Sequence, residues 1–323
     1  MSCSQTYPPV EGRMRTANQL HKTLAVALAL CFCCSLSLAA DSPCPSMGAN
    51  EVGSNEEKVA FADYVVRAVR SSDDEGCLEV QKANVVVYSE RKAMQYRIGN
   101  NVNAENLKGY PLIPEIKAGT DITGNLIPNL IVSAWTGGAH CCFSFIVLEL
   151  GKIFKVASRI EAEHSDLAHF EDIKHDGRYV FVGNDWAFAY WHTDFGQSPA
   201  PTVILRPEKD SDGDTQYKLA LDLMRKPVPT DKQFAAAVQK IRADKAWRSE
   251  NVPPQLWGQM ANFIYSGHPT LAWKLLDQAW PKEKSGKRGF LGAFCDRLEN
   301  SHYWYGGISD LLKNAPADCF SVN

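Results

Sequence analysis

A chain of 323 residues, 45% hydrophobic and 22% charged, is long enough to bury a sizeable core and has length for two domains. Its formal charge of -3 comes with no basic stripe and no acidic tail, which argues against nucleic acid or an anionic membrane surface as partner.

The first 40 residues read as a targeting signal. Arg13, Arg15 and Lys22 precede the apolar run Leu24–Leu38, and Ala39-Ala40 closes it before Asp41. The signal is complete from Met14, an alternative start. The run is too short and wrongly flanked for a transmembrane helix, and no second long apolar run follows. The expected location is periplasmic or secreted, with no membrane span in the mature chain. Cys44, Cys77, Cys141, Cys142, Cys295 and Cys319 remain after processing, and an even set in an exported chain reads as disulfides of open connectivity.

Residues 41–56 are small, polar and Pro/Gly-containing, a flexible lead-in. Tyr64–Val69, Cys77–Tyr88 and Met94–Ile98 then read as strands, although Phe61–Arg70 also fits a helix. The stretch Asp121–Leu150 organises the chain. A small-residue loop runs into the apolar segment Asn129–Trp135, turns on Gly137-Gly138, and returns from His140-Cys141-Cys142 as a second apolar segment: a buried β-hairpin. More strands are expected at Ile153–Ile160, Tyr179–Gly183, Trp186–Trp191, Thr202–Leu205 and Tyr217–Leu221, with Asp210–Asp214 as a hairpin turn. After the linker Arg225–Pro229, the Thr230–Gln233 capping box opens a helix with Phe234, Val238 and Ile241 on one face. Three more helices follow, with stripes through Leu256/Met260/Ile264, Ala272/Leu275/Ala279 and Phe290/Phe294/Leu298. The fold class is α+β: a β-rich, propeller-like or meander domain over 57–225, then an all-α helical-hairpin module over 226–323.

The loop Asp121-Ile-Thr-Gly-Asn125 recurs more weakly as Asp172-Ile-Lys-His-Asp176-Gly177, and each leads into a strand, which suggests an internal repeat. Oxygen side chains at alternate positions of such loops can converge on a hard cation. The loop-plus-strand unit resembles the FG-GAP (integrin α-like, VCBS-type) repeats, β-propeller modules with calcium loops of the form D-x-[DNT]-G-[DN]-G-x-x-D. The wider runs SAWTGGAHCCFSFIVLELG, NDWAFAYW and LWGQMANFIYSGHPTLAWKLLDQAWP resemble a group of exported bacterial proteins, which implies architecture only. Carried over, the first loop offers calcium Asp121, Thr123, Asn125 and Asn129, and the second Asp172 and Asp176. Leu126 stands at the second glycine of the pattern, Asn129 at its closing acid, and Lys174 at a ligand position. A structural turn without metal is the competing reading, as it is for the Asp210/Asp212/Asp214 turn.

Cys141 and Cys142 would point to opposite faces of an extended strand, so each is expected to pair elsewhere or stay a buried thiol, with Cys77 a partner for one of them. Cys295 and Cys319 are expected to clip the helical tail. Zinc on His140, Cys141 and Cys142 is the sharper alternative, but consecutive ligands on opposite faces suit a tetrahedral ion poorly. His140, His164, His169, His175 and His192 interleave with Asp166, Glu171, Asp172, Asp185 and Asp194, which can serve acid–base chemistry or simply furnish polar loops. The run Trp186, Phe188 and Tyr190 on one face reads most simply as a buried strand, with an exposed face for a sugar or a partner as the alternative. The expected role is recognition of an envelope protein or glycan by an exported binding protein, with calcium ordering of its β domain left open beside the metal-free turn. The alternatives are a hydrolase or metal-dependent enzyme drawing on His140, His164 and Asp185, and a structural envelope component.

Overall fold

The computed structural model describes residues 44–45, 55–70, 75–100, 113–139, 141–248 and 251–320. The segment expected to be a signal, much of the lead-in and His140 lie outside the described residues. Among the described residues, twelve strands form three open, four-stranded antiparallel sheets, followed by a helical module.

The first sheet runs β1 (Asn55–Phe61), β2 (Tyr64–Arg70), β3 (Gly76–Lys82) and β4 (Val85–Glu90), each beside the next. The segment Phe61–Arg70 is therefore strand, not helix. The single strand expected over Cys77–Tyr88 is two strands joined at Ala83-Asn84, both with positive φ (48° and 65°). That twist suits a two-residue hairpin, and alanine gives no turn signal in sequence. Cys44 is bonded to Cys77, and its N–H donates to Glu79 Oε2 at 2.8 Å, so the lead-in is anchored there. Cys77 is thus not the partner of Cys141 or Cys142.

The second sheet is β5 (Gln95–Ile98), β6 (Asn129–Trp135), β7 (Phe143–Leu150) and β8 (Phe154–Glu163). All eight residues of β7 are buried because both faces of this sheet are covered. Ile131 and Val147, paired across β6 and β7, join Phe145 in the core shared with the third sheet and the helices. Their neighbours Val132 and Ile146 join Leu130 and Leu148 in the core shared with the first sheet, with Tyr64, Leu78 and Val80. Each such side chain contributes about 1.5–3 kcal/mol by leaving water, so a one-residue slip, which would exchange the faces, is strongly disfavoured. A Cβ on Gly138 would collide with the Cys141 carbonyl oxygen, so the backbone approaches closely there. The return strand begins at Phe143, not at His140. Cys141 and Cys142 precede it across a cis peptide, with Cα atoms 3.0 Å apart, and are bonded to each other. The strand geometry that would separate them does not apply to this turn.

The third sheet, ordered β12-β11-β10-β9, comprises β9 (His169–Glu171), β10 (Val180–Asn184), β11 (Thr202–Lys209) and β12 (Thr215–Leu219). Phe145 meets Phe170 and Phe181 edge-on at 6.1 and 5.2 Å and so joins the second sheet to the third. Trp186–Trp191 is not a strand. The Asp185 carboxylate accepts the Ala187 N–H at 2.9 Å and turns the chain, after which Ala189 and Trp191 N–H donate to the carbonyls three residues back. The period becomes three. Phe188 and Trp191 enter the core, Trp186 is half-buried, and Tyr190 is exposed.

The helical module follows a short turn of helix, α1 (Leu221–Met224), and consists mainly of α2 (Asp231–Arg242), α3 (Pro254–Tyr265), α4 (Pro269–Ala279) and α5 (Lys287–Glu299). The Thr230/Gln233 capping box is present, and the apolar stripes read from sequence are the buried faces. Trp191 packs on Trp257 and Phe290 at 5.3 and 5.5 Å, and Phe188 stacks on Phe294 at 5.0 Å. The hydrophobic core is therefore continuous from the sheets into the helices. Cys295 and Cys319 are bonded, as the sequence suggested. No helix among the described residues is long and apolar enough to cross a membrane.

Candidate binding site

The two aspartate loops are the same structure at matched positions. Asp121 accepts the N–H groups of Asn125 and Leu126 at 3.3 and 2.8 Å, and Asp172 accepts those of Asp176 and Gly177 at 3.1 and 2.8 Å. In each, the side chain four residues on accepts the N–H two beyond itself: Asn125 from Ile127 at 2.9 Å, and Asp176 from Arg178 at 3.1 Å. In each, the third and fifth residues after the aspartate have positive φ. These are Gly124 (71°) and Leu126 (63°) in one loop, His175 (54°) and Gly177 (81°) in the other. Each loop thus has glycine at only one of the two positions that favour it. Desolvation pushes the Asp172 carboxyl up, but the N–H groups of Gly177 and Asp176, with His175, together outweigh it and hold the carboxyl below its ordinary range.

This spacing accounts for Leu126, which stands where the repeat pattern has glycine and is 91% exposed in a left-handed conformation. Leu126→Gly is expected to raise stability by about 0.5–1 kcal/mol, read as a higher urea midpoint at an unchanged slope.

The oxygen atoms singled out as calcium ligands turn inward to hold these loops. Asn129 Oδ1 accepts the Ile122 and Thr123 N–H groups at 2.7 and 3.1 Å, and Asn125 Nδ2 donates to Glu149 at 2.6 Å. The first loop set has one carboxylate, and the second has Lys174 at a ligand position and Val180 where the closing acid would be. This donor set fits backbone capping and does not fit a calcium cage. No group of three or more His, Cys, Asp or Glu side chains converges among the described residues.

What the loops do together is line one groove of about 340 Å³. Asp121–Gly124 form one wall and Ile173, Lys174 and Asp176–Val180 another, while Arg206 of β11 and Asp222 of α1 close it. Three cations and three carboxylates face one opening, interspersed with Ile122, Ile173, Tyr179 and Leu223. Arg206 pairs with Asp222, Lys174 Nζ lies 4.0 Å from the same carboxylate, and Arg178 lies 3.8 Å from Asp176. These pairs are exposed, so each adds little stability and can exchange its partner for a ligand group. Tyr217 Oη is buried with no hydrogen-bond partner. Burial, then the Asp121 charge, push its pKa up, so it keeps its proton.

The chain matches no protein-family model, no curated protein and no solved structure.

The residues considered for catalysis are placed differently. Asp185 is sealed between the sheet and the helices, where its Oδ2 accepts from the hydroxyls of Tyr265 and Ser301. Burial pushes its carboxyl pKa up, although those hydroxyls oppose the shift. His164 packs its ring against Trp186 and Phe195 at 5.4 and 5.3 Å. His169 meets Glu171 at 3.5 Å and the Leu167 carbonyl at 2.8 Å, and the His192 ring lies on Trp191 at 4.8 Å. Sequence reasoning missed Arg206, Asp222, Tyr265 and Ser301, which carry no local motif.

Proposed function

We propose that the chain is an exported recognition protein, periplasmic or secreted, that binds an envelope protein or glycan in the groove between its two aspartate loops. The convergence of two equivalent loops on one mixed-charge opening carries this reading. All six cysteines beyond the signal-like segment are paired, which suits an oxidising compartment. The resemblance of the loop-plus-strand units to FG-GAP repeats points the same way, since those are surface recognition modules. Rigid loops on sheets, with exposed charges at their ends, are where binding residues concentrate.

The test is affinity capture from an envelope extract by the immobilised chain beginning at Asp41. The wild type is expected to enrich a discrete component, and the combined Lys174→Ala, Arg206→Ala and Asp222→Ala variant to lose it at unchanged thermal stability. Chelator is expected to leave capture intact, because the loops are held by their own hydrogen bonds. Equal capture by the triple variant would place binding elsewhere.

A further inference from the structure

Eight non-glycine residues among those described have positive φ. Ala62, Ala83 and Asn84 make hairpin turns, and Leu126 and His175 shape the groove loops. The remaining three, Glu163 (48°), Tyr190 (58°) and His192 (54°), fall at or beside a second surface feature. Such backbone is unfavourable for bulky side chains and persists where the surroundings over-determine it.

That feature is an aromatic ledge. Trp186 and Phe195 stack in parallel, 4.8 Å apart with 7° between their planes. Tyr190 leans on Phe195 at 5.5 Å and is 56% exposed. The backbone that carries this exposed tyrosine is held in place. Its N–H donates to Ser198 Oγ at 2.9 Å, and Ser198 is tied in turn to the Asp194 carbonyl. Trp191, one residue further on, is anchored in the core. Polar groups meet the ledge at one side. Glu163 Oε2 accepts the Trp186 N–H at 3.3 Å, and Glu163 Oε1 lies 2.9 Å from His302 Nε2, whose side chain is 59% exposed.

We infer that the ledge of Trp186, Tyr190 and Phe195, with Glu163 and His302 beside it, is a binding subsite for a neutral carbohydrate. A pyranose ring presents a C–H face and a rim of hydroxyls. The C–H face stacks on an aromatic ring, and the hydroxyls need both acceptors and donors within reach. Glu163 and His302 are paired with each other, and the carboxylate lone pairs and imidazole edge that this pair leaves are within reach of such hydroxyls. A cationic ligand suits the ledge less well, because the carboxylate that would attract it already faces an imidazole. The inference is independent of the groove, which shares no lining residue with the ledge.

Calorimetric titration of the mature chain with cellotetraose, chitotetraose and maltotetraose tests it, with choline chloride as the cationic control. At least one tetrasaccharide is expected to bind. Tyr190→Ala is expected to weaken it about tenfold, the scale of a lost stacking contact. Glu163→Gln is expected to weaken it severalfold, and Ile153→Ala, which removes an exposed apolar side chain at the opposite end of β8 from Glu163, to leave it unchanged. Thermal melts check that each variant is folded. The inference is overturned if no tetrasaccharide binds, if Tyr190→Ala binds one as tightly as the wild type, or if choline alone binds and is lost in that variant.

Discussion

Asp185→Ala is expected to lower the unfolding free energy by about 3–5 kcal/mol, enough to remove much of the stability of an ordinary domain. Asp185 is 1% exposed and follows β10, yet its carboxylate accepts from Tyr265 at the end of α3 and Ser301 beyond α5. It also accepts the Ala187 N–H that starts the turn toward Trp191. Removing it strands two buried hydroxyls and a backbone N–H, each costing about 1–3 kcal/mol when unpaired. Asp185→Asn keeps the shape and one acceptor, and its cost is expected to be smaller, about 1–2 kcal/mol. The two also differ in pH dependence. Burial raises the Asp185 pKa in the folded state, so that state holds the proton more tightly than the unfolded chain. Its contribution is full below the ordinary aspartate range, about pH 4, and is lost as pH rises through the raised value. The asparagine variant lacks that slope. Urea unfolding of wild type and both variants on either side of this window measures the difference.

Replacing Cys295 and Cys319 together by alanine is expected to cost about 3 kcal/mol, by releasing the closed loop in the unfolded chain. The bridge spans a sequence separation of 24 and ties the buried face of α5 to the tail. Ile308 and Leu312 keep the first part of the tail in the core, whereas beyond Lys313 the contacts are weaker, among them an Arg288–Asp318 pair at 3.0 Å on the surface and an edge-on Trp304–Phe320 contact at 5.8 Å. Urea unfolding gives the magnitude. Limited trypsin digestion gives the location, with cleavage after Lys313 appearing in the variant before any cut in the sheets.

The parts legible in the sequence are those whose cause is local. The hairpin Asn129–Leu150 announces itself because both faces of its sheet are buried, leaving an almost continuous apolar run. The Thr230 capping box and the helical stripes are local in the same sense. The recurrence of Asp121–Asn125 as Asp172–Asp176 reflects a shared hydrogen-bond pattern, although what it maintains is a turn. Elsewhere the cause is distant or runs against residue preference. β1 carries Glu56, Glu57 and Lys58, and Glu56 is held by Arg67 of β2 at 2.8 Å, so an exposed charged strand resembles a loop. The Trp186–Trp191 turn is set by Asp185, whose other partners lie 80 and 116 residues away. Arg206 and Asp222 reach the groove from a strand and a helix with no motif between them.

The groove itself can be tested where it is most open, at Arg178, whose side chain is 87% exposed. A photo-reactive benzophenone residue is placed at position 178, and for comparison at position 305, where Tyr305 is 94% exposed. The protein is then irradiated in the presence of intact envelope. A single crosslinked product at 178 that is absent at 305 is the result expected of a binding groove. No product at 178, or the same products at both positions, would contradict it.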